Sequence, residues 1–201
     1  MILRGFYAVL DRDDEALAGA LASVACALQV RLKPRGGSVT TAELVAVARM
    51  ARRICDVASI PLIVNDRIDV ALAVGADAVH LGQTDLPFAD ARRLAGSRLA
   101  IGVSTHDLDQ VHAACAAGAD YLGFGPVFAT TTKLNPDPVQ GLEALRAAAA
   151  SANVPVVAIG GITPGFVRDI YAAGASAICA ISAVNDPDPE RTRSAALRYC
   201  Q

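Results

Sequence analysis

Short runs of apolar, β-favouring residues alternate along the chain with longer stretches rich in Ala and Leu. Residues 6–10, 27–32, 62–65, 78–81, 99–103, 121–127, 154–159 and 177–181 read as strands. Most of these runs are apolar throughout, as expected of parallel strands covered by helices. Helix signals fill the gaps. Thr40-x-x-Glu43 has the spacing of a capping box, and Thr163-Pro164 and Asp188-Pro189 each set an N-cap residue before a proline at the first helical position. Gly75-Ala76-Asp77, Gly118-Ala119-Asp120 and Gly174-Ala175-Ser176 form an internal repeat that closes a helix and opens the next strand. Eight such strands can form an open doubly wound sheet or a closed barrel. No GxGxxG follows the first strand, and polar residues gather after nearly every strand. The pattern therefore predicts an α/β fold, one (β/α)8 TIM barrel over residues 1–201, with its active site at the C-terminal ends of the strands.

Composition narrows the function classes. The chain has 201 residues, 53% hydrophobic and 19% charged, which excludes disorder. No apolar stretch approaches the roughly 18 residues of a membrane helix. Met1-Ile2-Leu3-Arg4-Gly5 lacks a signal-peptide pattern, so a cytoplasmic location is expected. The net charge of −2 gives no pull toward nucleic acid or an acidic membrane, so any anion must be held by a local cluster. Cys26, Cys55, Cys115, Cys179 and Cys200 are odd in number, widely spaced and without a CxxC pair. Four of them sit among Ala, Ile or Val and read as small core hydrophobes, and the set fits a reducing compartment. Nothing in the sequence sets the oligomeric state.

Strand ends carry the candidate chemistry. In Gln29-Val30-Arg31-Leu32-Lys33, positions 29, 31 and 33 share one face while Val30 and Leu32 face the helices. Two cations in a barrel mouth are costly unless an anion meets them, and arginine beside lysine suits phosphate or pyrophosphate. The alternative is a strand end with solvated charges. The third strand ends Asn65-Asp66-Arg67, and Gly82-Gln83-Thr84-Asp85 follows the fourth. Two carboxylates at neighbouring strand ends are the minimum for Mg²⁺, although Asp66 and Asp85 can equally cap the helices after them. Asp69 and Asp77 lie in a helix and in the bottom-face repeat.

Ser104, in Gly102-Val103-Ser104-Thr105-His106, is placed to donate to a phosphate oxygen. His106 reads either as an acid/base group or as a solvated neighbour of a helix cap. His80 reads as a core histidine and His112 as surface. After the sixth strand, Ala129-Thr130-Thr131-Thr132-Lys133 has the makeup of a mobile flap over anions. Gly160-Gly161 and Ser182 follow strands seven and eight, the usual phosphate site of this fold.

Taken in order, QxRxK, NDR, HLGQxD, GxSxH, GPVFxTxTK, AIGGI and ISA resemble the thiamine phosphate synthase family, from about Tyr7 to Ala183. The resemblance implies a transferase that joins hydroxymethylpyrimidine pyrophosphate to a thiazole phosphate and releases pyrophosphate, by Mg²⁺-assisted dissociative substitution. It implies that Gln29, Arg31, Lys33 and Asn65 hold the pyrimidine pyrophosphate with help from Ser104 and Lys133. Arg31, Lys33, Ser104 and Lys133 then act on the leaving group. Asp66 and Asp85 would hold Mg²⁺, while Thr130, Thr132, Gly161, Ile181 and Ser182 would place the thiazole phosphate. This chain departs from the family at Leu32, where glutamate is usual, in the loop 34–37, and in a short first βα unit. Two rivals are a thiazole tautomerase, with His106 as acid/base and no need of Asp85, and a non-catalytic phosphate-binding paralogue.

Overall fold

The computed structural model describes residues 2–32, 38–130 and 138–200. Among them, strands β1 (Gly5–Leu10), β2 (Ala27–Val30), β3 (Leu62–Asn65), β4 (Ala78–Leu81), β5 (Ala100–Thr105), β6 (Tyr121–Phe124), β7 (Val156–Ile159) and β8 (Ala177–Cys179) pair in sequence order. All pairs are parallel, and Gly5 beside Ala177 closes β8 onto β1. Helices α1 (Glu15–Ala22), α2 (Thr41–Ala58), α3 (Ile68–Val74) and α4 (Phe88–Ala95) follow the first four strands. The second half carries α5 (Leu108–Ala117), α6 (Gly141–Ser151), α7 (Val167–Ala172) and α8 (Pro189–Leu197). The predicted (β/α)8 barrel is the fold.

The period of two along each strand divides the core into two sets. Val30, Val64, Val79, Leu81 and Ile178 face outward into the helical layer. Tyr7, Ala27, Ile63, Ala78, Tyr121 and Cys179 face inward and fill the barrel. Leu32 packs with the outward set, on the face expected for it.

Local signals mostly act as read. Thr40 and Glu43 form both arms of the capping box of α2, and Asp188 accepts from the Glu190 N–H at the start of α8. Thr163 differs: its side chain makes no cap bond, and Pro164 opens a 3₁₀ turn, Pro164–Phe166, ahead of α7. Strands two, six and eight stop short of their predicted ends. In the sixth, Pro126 offers no ladder N–H, and the strand stops at Phe124.

The glycine repeat lies at the N-terminal face, and its aspartates tie elements together. The Asp77 carboxylate accepts from the Leu62 N–H at 2.8 Å and from Arg52 of α2 at 2.5 Å. Asp120 repeats this with the Ile101 N–H at 2.7 Å and Arg92 of α4 at 2.6 Å. Each carboxylate thus joins the strand before its own to a helix on the outer wall.

Candidate active site

The strand tops and the loops beyond them enclose a cavity of about 840 Å³ at the C-terminal mouth. From the first half of the chain it is lined by Gln29, Arg31, Asn65, Asp66 and Asp85. Ser104, Thr130, Gly161, Ile181 and Ser182 border it from the second half. Every described residue put forward for substrate or metal therefore lies around one space. Lys33, Thr132 and Lys133 fall outside the described residues. A smaller hollow of about 470 Å³ on the outer wall lies between α1 and α2, beside Ile54 and Val57, and offers little polar chemistry.

The two acids do not cap helices. Asp66 ends β3 with φ +61°, a left-handed conformation that aspartate tolerates better than most residues but at some cost. Its own N–H is anchored on the His80 carbonyl at 2.8 Å. Position 67, not 66, precedes α3, without a side-chain cap bond. Asp85 turns back on its own loop and accepts from the Gly82 N–H at 2.7 Å, while Pro87 precedes α4. The Asp66 carboxyl meets that of Asp85 at the mouth. Burial, then the bond to Asp85 and its charge, pushes the Asp66 carboxyl up to about 7; Arg31 and Asn65 pull the other way. These two carboxyls are the residues that could hold a divalent cation at the mouth.

The barrel interior beneath the acids holds a polar chain in which Gln29, His80 and Ser104 were expected and Tyr7 and Tyr121 were not. Gln29, only 5% exposed, donates its amide N–H to the Tyr7 hydroxyl at 2.8 Å. Tyr7 and Tyr121 hydroxyls lie 3.0 Å apart, Tyr121 meets His80 Nδ1 at 2.9 Å, and His80 Nε2 meets Ser104 Oγ at 2.9 Å. His80 is thus satisfied, as expected of a core histidine, yet it also borders the cavity. Burial first, then the charge of Arg31, lowers its pKa to about 4 and keeps the ring neutral. The missed signal was the period of two: Ala78 and His80 alternate inward, against Val79 and Leu81 outward. Cys179 also faces this interior; burial pushes its thiol up to about 12, so it is no nucleophile.

Two glycines make room for these rings. A Cβ on Gly102 would lie 2.0 Å from the Tyr121 ring, and one on Gly123 would lie 3.2 Å from His80. In register, Gly102 sits between His80 and Tyr121. At the mouth, Gly160 and Gly161 have positive φ, and a Cβ on Gly161 would lie 2.3 Å from the Ala129 carbonyl. Phe128 N–H donates to the Gly160 carbonyl at 3.0 Å, and the Phe128 and Phe166 rings stack at 4.3 Å. In the folded chain Gly160 and Gly161 let the loops after β6 and β7 pack backbone to backbone.

His106 is not a solvated neighbour of a cap. It borders the cavity, and its Nδ1 lies 2.5 Å from the Gly125 carbonyl, while Asp107 caps α5. A carbonyl can only accept, so Nδ1 carries a proton. His112 is exposed on α5, as read.

With this geometry in hand, kinship is specific. Residues 6–184 match the family model described as thiamine monophosphate synthase. The chain belongs to that family. The thiamine-phosphate synthase of Chloroflexus aurantiacus is 47% identical over 159 residues, 79% of this chain and 73% of its own. The thiamine-phosphate synthase of Moorella thermoacetica is 45% identical over 170 residues, covering 85% and 79%. Among solved structures, thiamine phosphate pyrophosphorylase from Pyrococcus furiosus superposes with a TM-score of 0.83 at 36% identity, covering 96% of this chain and 93% of that one. Membership makes the chain a transferase of thiamine biosynthesis. Among the described residues, no helix is long and apolar enough to cross a membrane.

Proposed function

We propose that this chain, acting as one domain over residues 1–201 in the cytoplasm, joins hydroxymethylpyrimidine pyrophosphate to a thiazole phosphate. The observation that carries this reading is the convergence of Asp66, Asp85 and Arg31 on one cavity at the barrel mouth. Such a pair suits Mg²⁺, which takes few protein oxygens and completes its shell with water and phosphate. When bound there, Mg²⁺ would neutralise charge on the pyrophosphate oxygens.

In the proposed step the C–O bond between the pyrimidine methylene and pyrophosphate breaks, and pyrophosphate leaves with the electron pair. The nitrogen lone pair of the thiazole then forms the new C–N bond. Arg31, Lys33 and Lys133 would offset the charge that grows on the leaving group, and Ser104 would donate to it. Asn65 and Gln29 would help seat the pyrimidine substrate. Thr130, Thr132, Gly161, Ile181 and Ser182 would hold the thiazole phosphate near the reacting carbon, supplying much of the rate through proximity.

The direct test incubates the pure protein with both substrates and Mg²⁺ and looks for thiamine phosphate and pyrophosphate. None formed would defeat the reading. Because His106 lines the cavity, two variants separate coupling from thiazole isomerisation. Lys133→Ala should lower kcat as well as kcat/KM for coupling. His106→Ala should keep coupling within about tenfold. An inactive His106→Ala beside a nearly normal Lys133→Ala would favour proton transfer by His106, which commonly supplies roughly 10²–10⁴-fold.

A further inference from the structure

The polar chain across the barrel interior has a direction. Gln29 can only donate through its amide nitrogen, so the Tyr7 oxygen accepts there. Suppose Tyr121 donated to Tyr7 as well. The Tyr7 O–H would then have no acceptor among the described residues, in a position only 3% exposed. A buried hydroxyl with no acceptor carries its desolvation cost uncompensated. The opposite direction satisfies every group. Tyr7 donates to Tyr121, Tyr121 donates to His80 Nδ1, and His80 Nε2–H donates to Ser104 Oγ. Ser104 Oγ then holds an accepted bond from below, and its own O–H is left to point into the cavity it lines. The chain is also built at a cost in side-chain volume, since Gly102 and Gly123 give up their side chains to house the Tyr121 and His80 rings.

We propose that Tyr7, Tyr121 and His80 are positioning residues whose one-way hydrogen bonds fix the imidazole tautomer and aim the Ser104 hydroxyl proton at a leaving pyrophosphate. The last clause rests on the reading of Ser104 as a pyrophosphate donor; the direction of the chain does not. A hydroxyl that is free to rotate must be oriented before it can donate to developing charge, whereas one oriented by a rigid interior starts aligned. Gln83 fixes the same residue from its other side, donating to the Ser104 carbonyl at 2.5 Å.

Two measurements test this. The first is the imidazole ¹⁵N spectrum of the substrate-free protein, with 3 histidines to assign. The His80 ring is expected to carry its proton on Nε2 alone, and to lose that single tautomer in Tyr121→Phe. A proton on Nδ1 would reverse the chain and overturn the proposal. The second is a double-mutant cycle on coupling, with melting curves confirming that each variant folds. Tyr121→Phe should lower kcat by about tenfold with little change in KM, and should add nothing further in a Ser104→Ala background. Additive losses would mean that Tyr121 does not act through Ser104, and would sink the role. If Tyr121→Phe does not fold, His80→Gln and His80→Leu replace it. The first keeps an N–H near the Nε2 position and should retain most of kcat, while the second should not; equal losses would overturn the role. A parent protein that couples nothing defeats the proposed function, and the tautomer still decides the direction.

Discussion

The two ends of the barrel use aspartate in opposite ways. At the N-terminal face, Asp77 and Asp120 each hold a backbone N–H and an arginine, so their negative charge is fully met by the fold. At the C-terminal face, Asp66 and Asp85 meet each other, and the Asp66 backbone is left-handed. The same side chain is fully tied below and only partly tied above, where Asp85 holds the Gly82 N–H and Asp66 faces a second acid. An acid whose charge is already answered leaves nothing for a ligand. One held above its ordinary pKa beside a second acid would favour a bound cation.

The contrast breaks most sharply at Asp85. Asp85→Asn removes a repelling charge from the mouth, so its melting temperature should equal or exceed that of the parent. Its kcat/KM for Mg²⁺-dependent coupling should fall by at least about 100-fold. Near-normal turnover would show that Asp85 only straps its own loop to Gly82, making it a tie like the acids below. Asp120→Ala is the mirror experiment. Loss of the acceptor for the Ile101 N–H should cost about 1–2 kcal/mol in urea unfolding, and the exposed arginine pair should add little. Coupling should stay within about twofold of the parent, since Asp120 lies at the opposite face. A stable but inactive variant would erase the distinction between the ends.

The smallest effect is a slope with pH in the metal-free protein. Asp66 has its pKa raised from 3.8 to about 7, so the native state keeps a proton that the unfolded chain gives up. That contribution is full below about pH 4 and is lost as pH rises through about 7. His80 tilts the other way. Its pKa falls from 6.5 to about 4, so its contribution is full above 6.5 and is lost as pH falls through 4. Asp66→Asn removes only the first trend. The stability of this variant relative to the parent should therefore climb between about pH 4 and pH 7, read by urea unfolding across that range. A flat difference would mean that Asp66 keeps no proton across that range.

The fold was legible because every level of the sequence agreed. Apolar strands, glycine-closed helices and polar strand ends all called for the same barrel. The mouth was legible because charge at a strand end is conspicuous: Arg31, Asp66 and Asp85 stand out from apolar surroundings. The interior chain was hidden for the converse reason. Tyr7, His80 and Tyr121 lie within apolar runs, where an aromatic ring reads as packing, and their partners come from strands up to 114 positions apart. Even the clue at Gly102 and Gly123 depends on register, because a small residue means room for a ring only once its neighbours are known. Asp66 and Asp85 could not be told from helix caps by sequence, since both sit just before helices. The left-handed turn at Asp66, anchored on the His80 carbonyl, and the bond of Asp85 back to the Gly82 N–H decide that.

The close seating of Gly161 against Phe128 and Ala129 bears on how such a mouth can change over generations. One wall belongs to the loop after β7 and the other to the loop after β6, yet no side chain separates them. A substitution at Gly161 has nowhere to go unless the neighbouring loop retreats, and a shift of that loop reopens the gap glycine had filled. Variation at these two strand ends must then arrive in matched pairs. Lineages that explore new ligands should find easier ground elsewhere on the rim, where side chains rather than main chains form the boundary.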